Sequence, residues 1–165
     1  MKIIFFSDVH ITRTSVDRAA LTLRFISDYC EDADMVVVLG DLFDFYHGYD
    51  GYIYPWYRAI ADSLKGLVDR GKRVLFLEGN HEFAMGRYFE DYTGAVCAVE
   101  MSLDIDGKQN LLNGLADLHQ LGRAGVRVGL QLAALRPLIG LIVVINIAEE
   151  QTPCRLMDDQ TQISR

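Results

Sequence analysis

Three apolar runs, each leading into a loop of Gly, Asp, Asn and His, constrain this chain more than any other feature. Residues 2–6 lead into Ser7-Asp8-Val9-His10. Met35–Leu39 leads into Gly40-Asp41-Leu42-Phe43-Asp44, and residues 74–77 lead into Gly79-Asn80-His81-Glu82. Continuous apolar runs of this length read as strands buried on both faces. The stretches between them carry apolar residues at helical spacing. Residues 17–29 place Ala20, Leu21, Leu23, Phe25 and Ile26 on one face, and residues 57–70 do the same with Ile60, Leu64, Leu67 and Val68 before a capping Gly71. Strand–helix–strand order predicts an α/β fold built on a parallel sheet. Ligand sites in such sheets form at the carboxyl edge. That edge would gather Asp8, His10, Asp41, Asn80 and His81, whose carboxylate oxygens, imidazole nitrogens and amide oxygen suit a borderline-to-hard divalent ion such as Mn²⁺ or Mg²⁺.

Each of these residues also has a purely structural reading. If the first strand continues, Asp8 and His10 alternate around Val9 and point to the same side, as a ligand pair requires; otherwise Asp8 caps a turn and His10 sits on the surface. Asp41 is either a ligand or a helix N-cap. Asp44 fits the N-cap reading better and stays outside the ligand set. Asn80 and His81 are either members of the group gathered at that edge or parts of an Asx-turn. The dense aromatic stretch from Phe43 to Tyr57 is either core or lid packing or a wall for a base or an acyl chain. His47 reads as a loop or pocket residue, and His119 as a bystander rather than a ligand.

The motif series Asp-x-His, Gly-Asp-x-x-Asp and Gly-Asn-His-Glu, each after a strand, resembles the calcineurin-like metallophosphoesterase family. Gly40–Phe45 (GDLFDF) and the stretch GNHEFAMGRYFEDYTG look most like bacterial UDP-2,3-diacylglucosamine diphosphatases of lipid A synthesis. The resemblance covers residues 1–108. It implies a metallophosphoesterase-type αββα sandwich whose first half is recognisable here and whose second half is truncated or diverged. It also implies a hydrolase with two divalent ions, Mn²⁺ foremost, with Mg²⁺, Fe²⁺ and Zn²⁺ as further candidates. Asp8, His10 and Asp41 would hold one ion. Asp41 would bridge to a second, which Asn80 also binds while touching the phosphate. His81 would be the proton donor or charge partner of the reacting phosphate. No serine or cysteine nucleophile is needed. The implied substrate is phosphorylated and small or lipid-linked, here UDP-2,3-diacylglucosamine, yielding UMP and 2,3-diacylglucosamine 1-phosphate. Such an enzyme is cytoplasmic and makes peripheral contact with the inner face of the cell membrane. Several of these diphosphatases carry Arg where His81 stands.

The composition changes where the resemblance stops. All eight Phe, eight Tyr and the one Trp lie between Phe5 and Tyr92. Residues 1–108 carry eleven basic and eighteen acidic side chains, whereas residues 109–165 carry five of each. The family's later His-Gly-Asp and Gly-His-x-His motifs have no counterpart, since the last of the four His is His119. The sequence therefore divides into a metallophosphoesterase core at 1–108 and an atypical tail at 109–165. A shifted reading frame, a truncation or real divergence would each produce such a tail. The alternatives to the diphosphatase reading are a phosphomonoesterase or phosphodiesterase of the same family, and a non-catalytic remnant that only binds metal.

A net charge of −7 excludes a nucleic-acid backbone as the natural partner. It leaves a phosphorylated substrate open, because a bound cation inverts the local field. Cys30, Cys97 and Cys154 are widely spaced and odd in number, which fits free thiols in a reducing compartment. The first apolar run is too short for a signal-peptide core. Residues 126–148 are apolar, but Arg127, Arg136 and Pro137 interrupt them as a membrane span. Further elements are expected as a short helix at 87–92 ended by Gly94, strand structure at 96–106 turned at Asp106-Gly107, a helix at 111–121, a strand at 141–147 and a frayed end at 158–165.

Overall fold

The computed structural model describes residues 1–105, 108–113 and 141–146. Strand β1 (Lys2–Ser7) is followed by α1 (Val16–Phe25), β2 (Met35–Leu39) and the two-residue β3 (Tyr46–His47). Then come α2 (Arg58–Asp69), β4 (Arg73–Leu77), the short β5 (Glu82–Phe83), α3 (Gly86–Thr93) and β6 (Val96–Ala98). Strands β7 (Glu100–Ile105), β8 (Lys108–Asn113) and β9 (Leu141–Asn146) complete the described elements.

The main sheet has five strands in the order β6-β4-β2-β1-β9. The first four run parallel, and β9 pairs antiparallel with β1, Lys2 opposite Asn146 and Ser7 opposite Leu141. Its central strands are apolar throughout because both faces are buried. Ile4, Phe6, Val36, Val38, Val74 and Phe76 join the cluster that includes Phe25, Ile60, Leu64 and Phe89 of the helices. Ile3, Phe5, Met35, Val37, Leu39, Leu75 and Leu77 join a second cluster with Leu103 and Leu112 of the β7–β8 pair. The described layers are thus helices, parallel sheet and a β-ribbon on the opposite face. Full burial of one such Val, Leu, Ile or Phe contributes roughly 1.5–3 kcal/mol, which is why a site can be hung from the strand ends without distorting them.

The helices follow their apolar periodicity. In α2, Ile60, Ala61, Leu64 and Leu67 are buried, and Gly71 ends the helix in a left-handed conformation with its N–H on the Val68 carbonyl. The expected helix at 17–29 is α-helical only to Phe25 and closes with a π-helical turn, Ile26–Cys30. The expected helix at 111–121 is overturned over its first three residues, which belong to β8; the remainder lies outside the described residues. Pairing with β7 wins there because it buries Leu112 while leaving Leu111 exposed, the two-residue alternation of a half-covered strand. Strand β8 also spans Lys108, the point where the composition changes. The expected turn at Asp106-Gly107 lies outside the described residues, between the paired Ile105 and Lys108.

Cys30 is buried, Cys97 is half-buried, and neither is in a disulfide; Cys154 lies outside the described residues. Burial pushes both thiols up to about 12, Lys2 opposing this slightly at Cys30. The thiolate is the reactive form, so both should resist alkylation. At pH 8, iodoacetamide should modify Cys30 and Cys97 at least ~100-fold more slowly in the folded protein than in urea, as read by mass spectrometry of their peptides. Equal rates would contradict their burial.

Candidate metal centre

Three loops leave the carboxyl ends of β1, β2 and β4 and run against one another. The first and second are laced by main-chain bonds. The Asp41 carbonyl accepts from the N–H groups of Val9 and His10, both at 2.8 Å; Ile11 N–H donates to the Leu42 carbonyl, and Asp44 N–H to the Ile11 carbonyl. Arg18, from the first turn of α1, donates from Nη1 to the carbonyls of Val9 and His10 at 2.9 and 3.2 Å, fixing the first loop from behind.

The side chains reach the site through strained backbone. Asp8, His10 and Asp41 all have left-handed φ, +54°, +49° and +54°. Asp and His tolerate this region better than most residues, yet each such position costs energy. Strand β1 ends at Ser7, so Asp8 and His10 are not brought together by strand alternation. Their left-handed turns do it instead. The ligating atoms of Asp8, His10 and Asp41 lie within 4.8 Å of one another. Ser7 Oγ donates to Asp8 Oδ2 at 3.0 Å. No helix begins at Asp41, so its N-cap reading falls.

The third loop locks onto Asp41. His81 N–H donates to Asp41 Oδ1 at 3.2 Å. A Cβ on Gly79 would lie 2.7 Å from Asp41 N and closer still to its Oδ1, so a side chain cannot be accommodated there. Asn80 is exposed at the tip of this loop, between Gly79 and His81. His81 Nδ1 lies 2.5 Å from the Asp44 carbonyl. A carbonyl can only accept, so Nδ1 carries the proton and Nε2 is left free. The His10 and His81 rings meet edge to face with centroids 4.6 Å apart.

Two acidic residues that the sequence motifs contain but that lie outside the expected ligand set emerge here. Asp44 caps no helix, since α2 begins only at Arg58; its carboxylate lies within 4.8 Å of ligating atoms of His10 and His81. Its Gly-Asp-x-x-Asp spacing carried the signal. Glu82 is buried, and its carboxylate accepts N–H bonds from Asp41 (2.8 Å) and Gly79 (3.0 Å) on Oε2 and from Phe43 (3.0 Å) on Oε1. Burial pushes its carboxyl above the usual range while the three N–H bonds pull it down. The aromatic stretch is part core and part surface. Phe43, Tyr46 and Tyr57 are core, whereas Phe45, Tyr49 and Tyr52 are exposed, and Phe45 meets the exposed Phe83 of the third loop at 5.9 Å between ring centroids.

Two carboxylates and an imidazole gathered within one ion's reach fit a borderline-to-hard divalent cation. The sequence profile of the calcineurin-like phosphoesterases matches residues 1–130, and the chain belongs to that family, whose members bind divalent metals. The match runs past Lys108, where the resemblance read from the sequence stops. Among curated relatives, the UDP-2,3-diacylglucosamine hydrolase of Aeromonas salmonicida is 36% identical over 114 residues, 68% of this chain and 44% of that protein. The Klebsiella pneumoniae hydrolase of the same name is 33% identical over 68% of this chain and 47% of its own length, and that of Stenotrophomonas maltophilia 39% identical over 56% and 36%. The chain thus spans less than half the length of these relatives.

The Asp44 carbonyl raises the pKa of His81 above its ordinary 6.5, burial opposes this, and the Asp41, Asp44 and Glu82 carboxylates add to the rise. A raised folded pKa means the folded state holds the proton more tightly. Its stabilising contribution is complete below the unfolded value near 6.5 and is lost as pH rises through the folded value. NMR titration of the metal-free protein should place the His81 midpoint above 6.5. A midpoint at or below that value would contradict the hydrogen bond to Asp44.

Proposed function

We propose that this chain is a metal-dependent phosphoesterase that cleaves the pyrophosphate of UDP-2,3-diacylglucosamine to UMP and 2,3-diacylglucosamine 1-phosphate. The observation that carries the reading is the approach of Asp8, His10 and Asp41 at one sheet edge. The names of the relatives support the choice of substrate. Asp8, His10 and Asp41 would hold one ion, and Asp41 with Asn80 a second. Mn²⁺ is the first choice, with Mg²⁺, Fe²⁺ and Zn²⁺ compatible with the same donors. Bound ions of this kind supply Lewis acidity and neutralise charge on the oxygens around phosphorus.

The chain's own groups then do the positioning. Asp41 is held by both other loops, its carbonyl by Val9 and His10 and its Oδ1 by His81 N–H, and its carboxylate would be the one shared between the two ions. His81, with Nδ1–H held by the Asp44 carbonyl, presents Nε2 as hydrogen-bond partner or proton donor to a phosphate oxygen. Exposed Phe45 and Phe83 offer an apolar surface beside the site for a base or an acyl chain. A lipid-linked substrate would bring the protein to the inner face of the cell membrane from the cytoplasm as a peripheral visitor. Among the described residues, no helix is long and apolar enough to cross a membrane. The core is proposed to lie mainly in residues 1–108, with 109–165 as an atypical tail, although the family profile extends to residue 130 and β9 joins the main sheet.

A second reading of the same carboxylates and imidazole is metal binding without turnover. Calorimetry and an assay separate the two. Mn²⁺ should bind the unaltered protein and fail to bind Asp41→Ala, because that carboxylate is shared. Hydrolysis of UDP-2,3-diacylglucosamine on the order of 10 s⁻¹ supports the enzyme. Metal binding with no turnover supports the second reading, turnover of a simple phosphodiester alone supports another substrate, and undiminished binding by Asp41→Ala overturns the ligand assignment.

A further inference from the structure

Glu82 lies at the centre of the site yet is turned away from any ligand. It is 3% exposed, and both carboxyl oxygens are occupied by peptide N–H groups. Two of those groups, Asp41 and Phe43, belong to the loop after β2; the third, Gly79, belongs to the loop after β4. Glu82 is itself anchored through β5, which pairs with β3, Tyr46 opposite Glu82. One side chain therefore ties together main-chain segments about forty residues apart at the position of the shared carboxylate.

We propose that Glu82 is the positioning residue that sets the metal affinity of this centre, by holding the Asp41 turn in the register that brings its carboxylate to Asp8 and His10. The inference rests on the metal-binding reading above and adds a residue that touches neither metal nor substrate. The physical reason is the number of acceptors. Three N–H groups, two buried and one partly buried, converge on one carboxylate, and a buried donor without an acceptor is costly. A carboxyl group can accept on both oxygens. A Gln amide accepts on one, so Glu82→Gln must turn its NH₂ toward either the Phe43 N–H or the Asp41–Gly79 pair. In either orientation donor faces donor, and the turn must shift to relieve it. Asp41 has no slack for this, since its carbonyl is held by Val9 and His10 and its Oδ1 by His81. Displacing the turn therefore displaces the ligand.

The test compares Mn²⁺ affinity with fold stability. In calorimetric titration, Glu82→Gln should bind Mn²⁺ about 10–100-fold more weakly than the unaltered protein, the usual scale for loss of a residue supporting a ligand. Leu64→Ala, which removes a buried side chain from α2 away from the three loops, should lower urea stability while keeping the Mn²⁺ affinity. In metal-free Glu82→Gln, amide exchange should quicken at Asp41, Phe43 or Gly79 and stay slow in β2. If that variant does not fold, Glu82→Asp, one methylene shorter, should show the same loss. In the unaltered protein, added Mn²⁺ should slow exchange at Asp41, Phe43 and Gly79 together, because coupling between sites is reciprocal. The proposal is overturned if folded Glu82→Gln keeps full Mn²⁺ affinity, if Leu64→Ala loses affinity equally, or if Mn²⁺ leaves those amides unaffected. Retained binding in Glu82→Gln with lost binding in Asp41→Ala defeats the role of Glu82 alone; retained binding in both defeats the metal-site assignment.

Discussion

The arrangement of this site depends on how the Asp41 peptide is held. Its carbonyl accepts two N–H bonds from the first loop, its N–H donates to Glu82, and its carboxylate accepts from His81. Its N–H, its carbonyl and its Oδ1 are therefore all held by the neighbouring loops. Three loops from three separate strands meet at one residue, and the strands fix where that residue can be. Parallel pairing of β1, β2 and β4 sets the loops side by side; the register Phe6–Val38 and Val38–Phe76 sets their depth.

Such a site is costly to build. Asp8, His10 and Asp41 sit in the left-handed region, at roughly 1–3 kcal/mol each. The strain is offset beneath the loops, where Ile3 to Phe6, Met35 to Val38 and Phe76 are essentially excluded from water. A rigid apolar sheet carries an irregular polar edge, and the edge tolerates its geometry because the sheet cannot follow it. Glycine appears where even this fails. At Gly79 the main chain passes so close to Asp41 that a Cβ has no room.

Much of this is legible in the sequence, for reasons that are local. Met35–Leu39 can be read to the residue, and Arg73–Leu77 to within one, because a strand buried on both faces has an unbroken apolar run. The helix of Arg58–Asp69 shows its period, and its Gly stop shows where it ends. The grouping of Asp8, His10 and Asp41 follows from loop position alone. Three features are not local and are not readable in that way. Asp8 and His10 are brought together by left-handed backbone rather than by strand alternation. Asp44 resembles a helix cap until the structure shows no helix after it. Glu82 looks like one more acidic residue, because its three partners lie in the main chain, two of them about forty residues away. The strand at Lys108–Asn113 is hidden for the same reason: its Leu-rich sequence permits helix, and only the partner strand Glu100–Ile105 decides against it.

The claim on which the functional reading stands is that Asp8, His10 and Asp41 form a cation site together. Crystals soaked in Mn²⁺ and measured at the manganese absorption edge test this without reference to turnover. The account predicts an anomalous difference peak within coordinating distance of Asp8, His10 and Asp41, where their ligating atoms already approach within 4.8 Å of one another. A peak held by His10, Asp44 and His81 with Asp8 and Asp41 uninvolved, or no peak at this edge of the sheet, would contradict it.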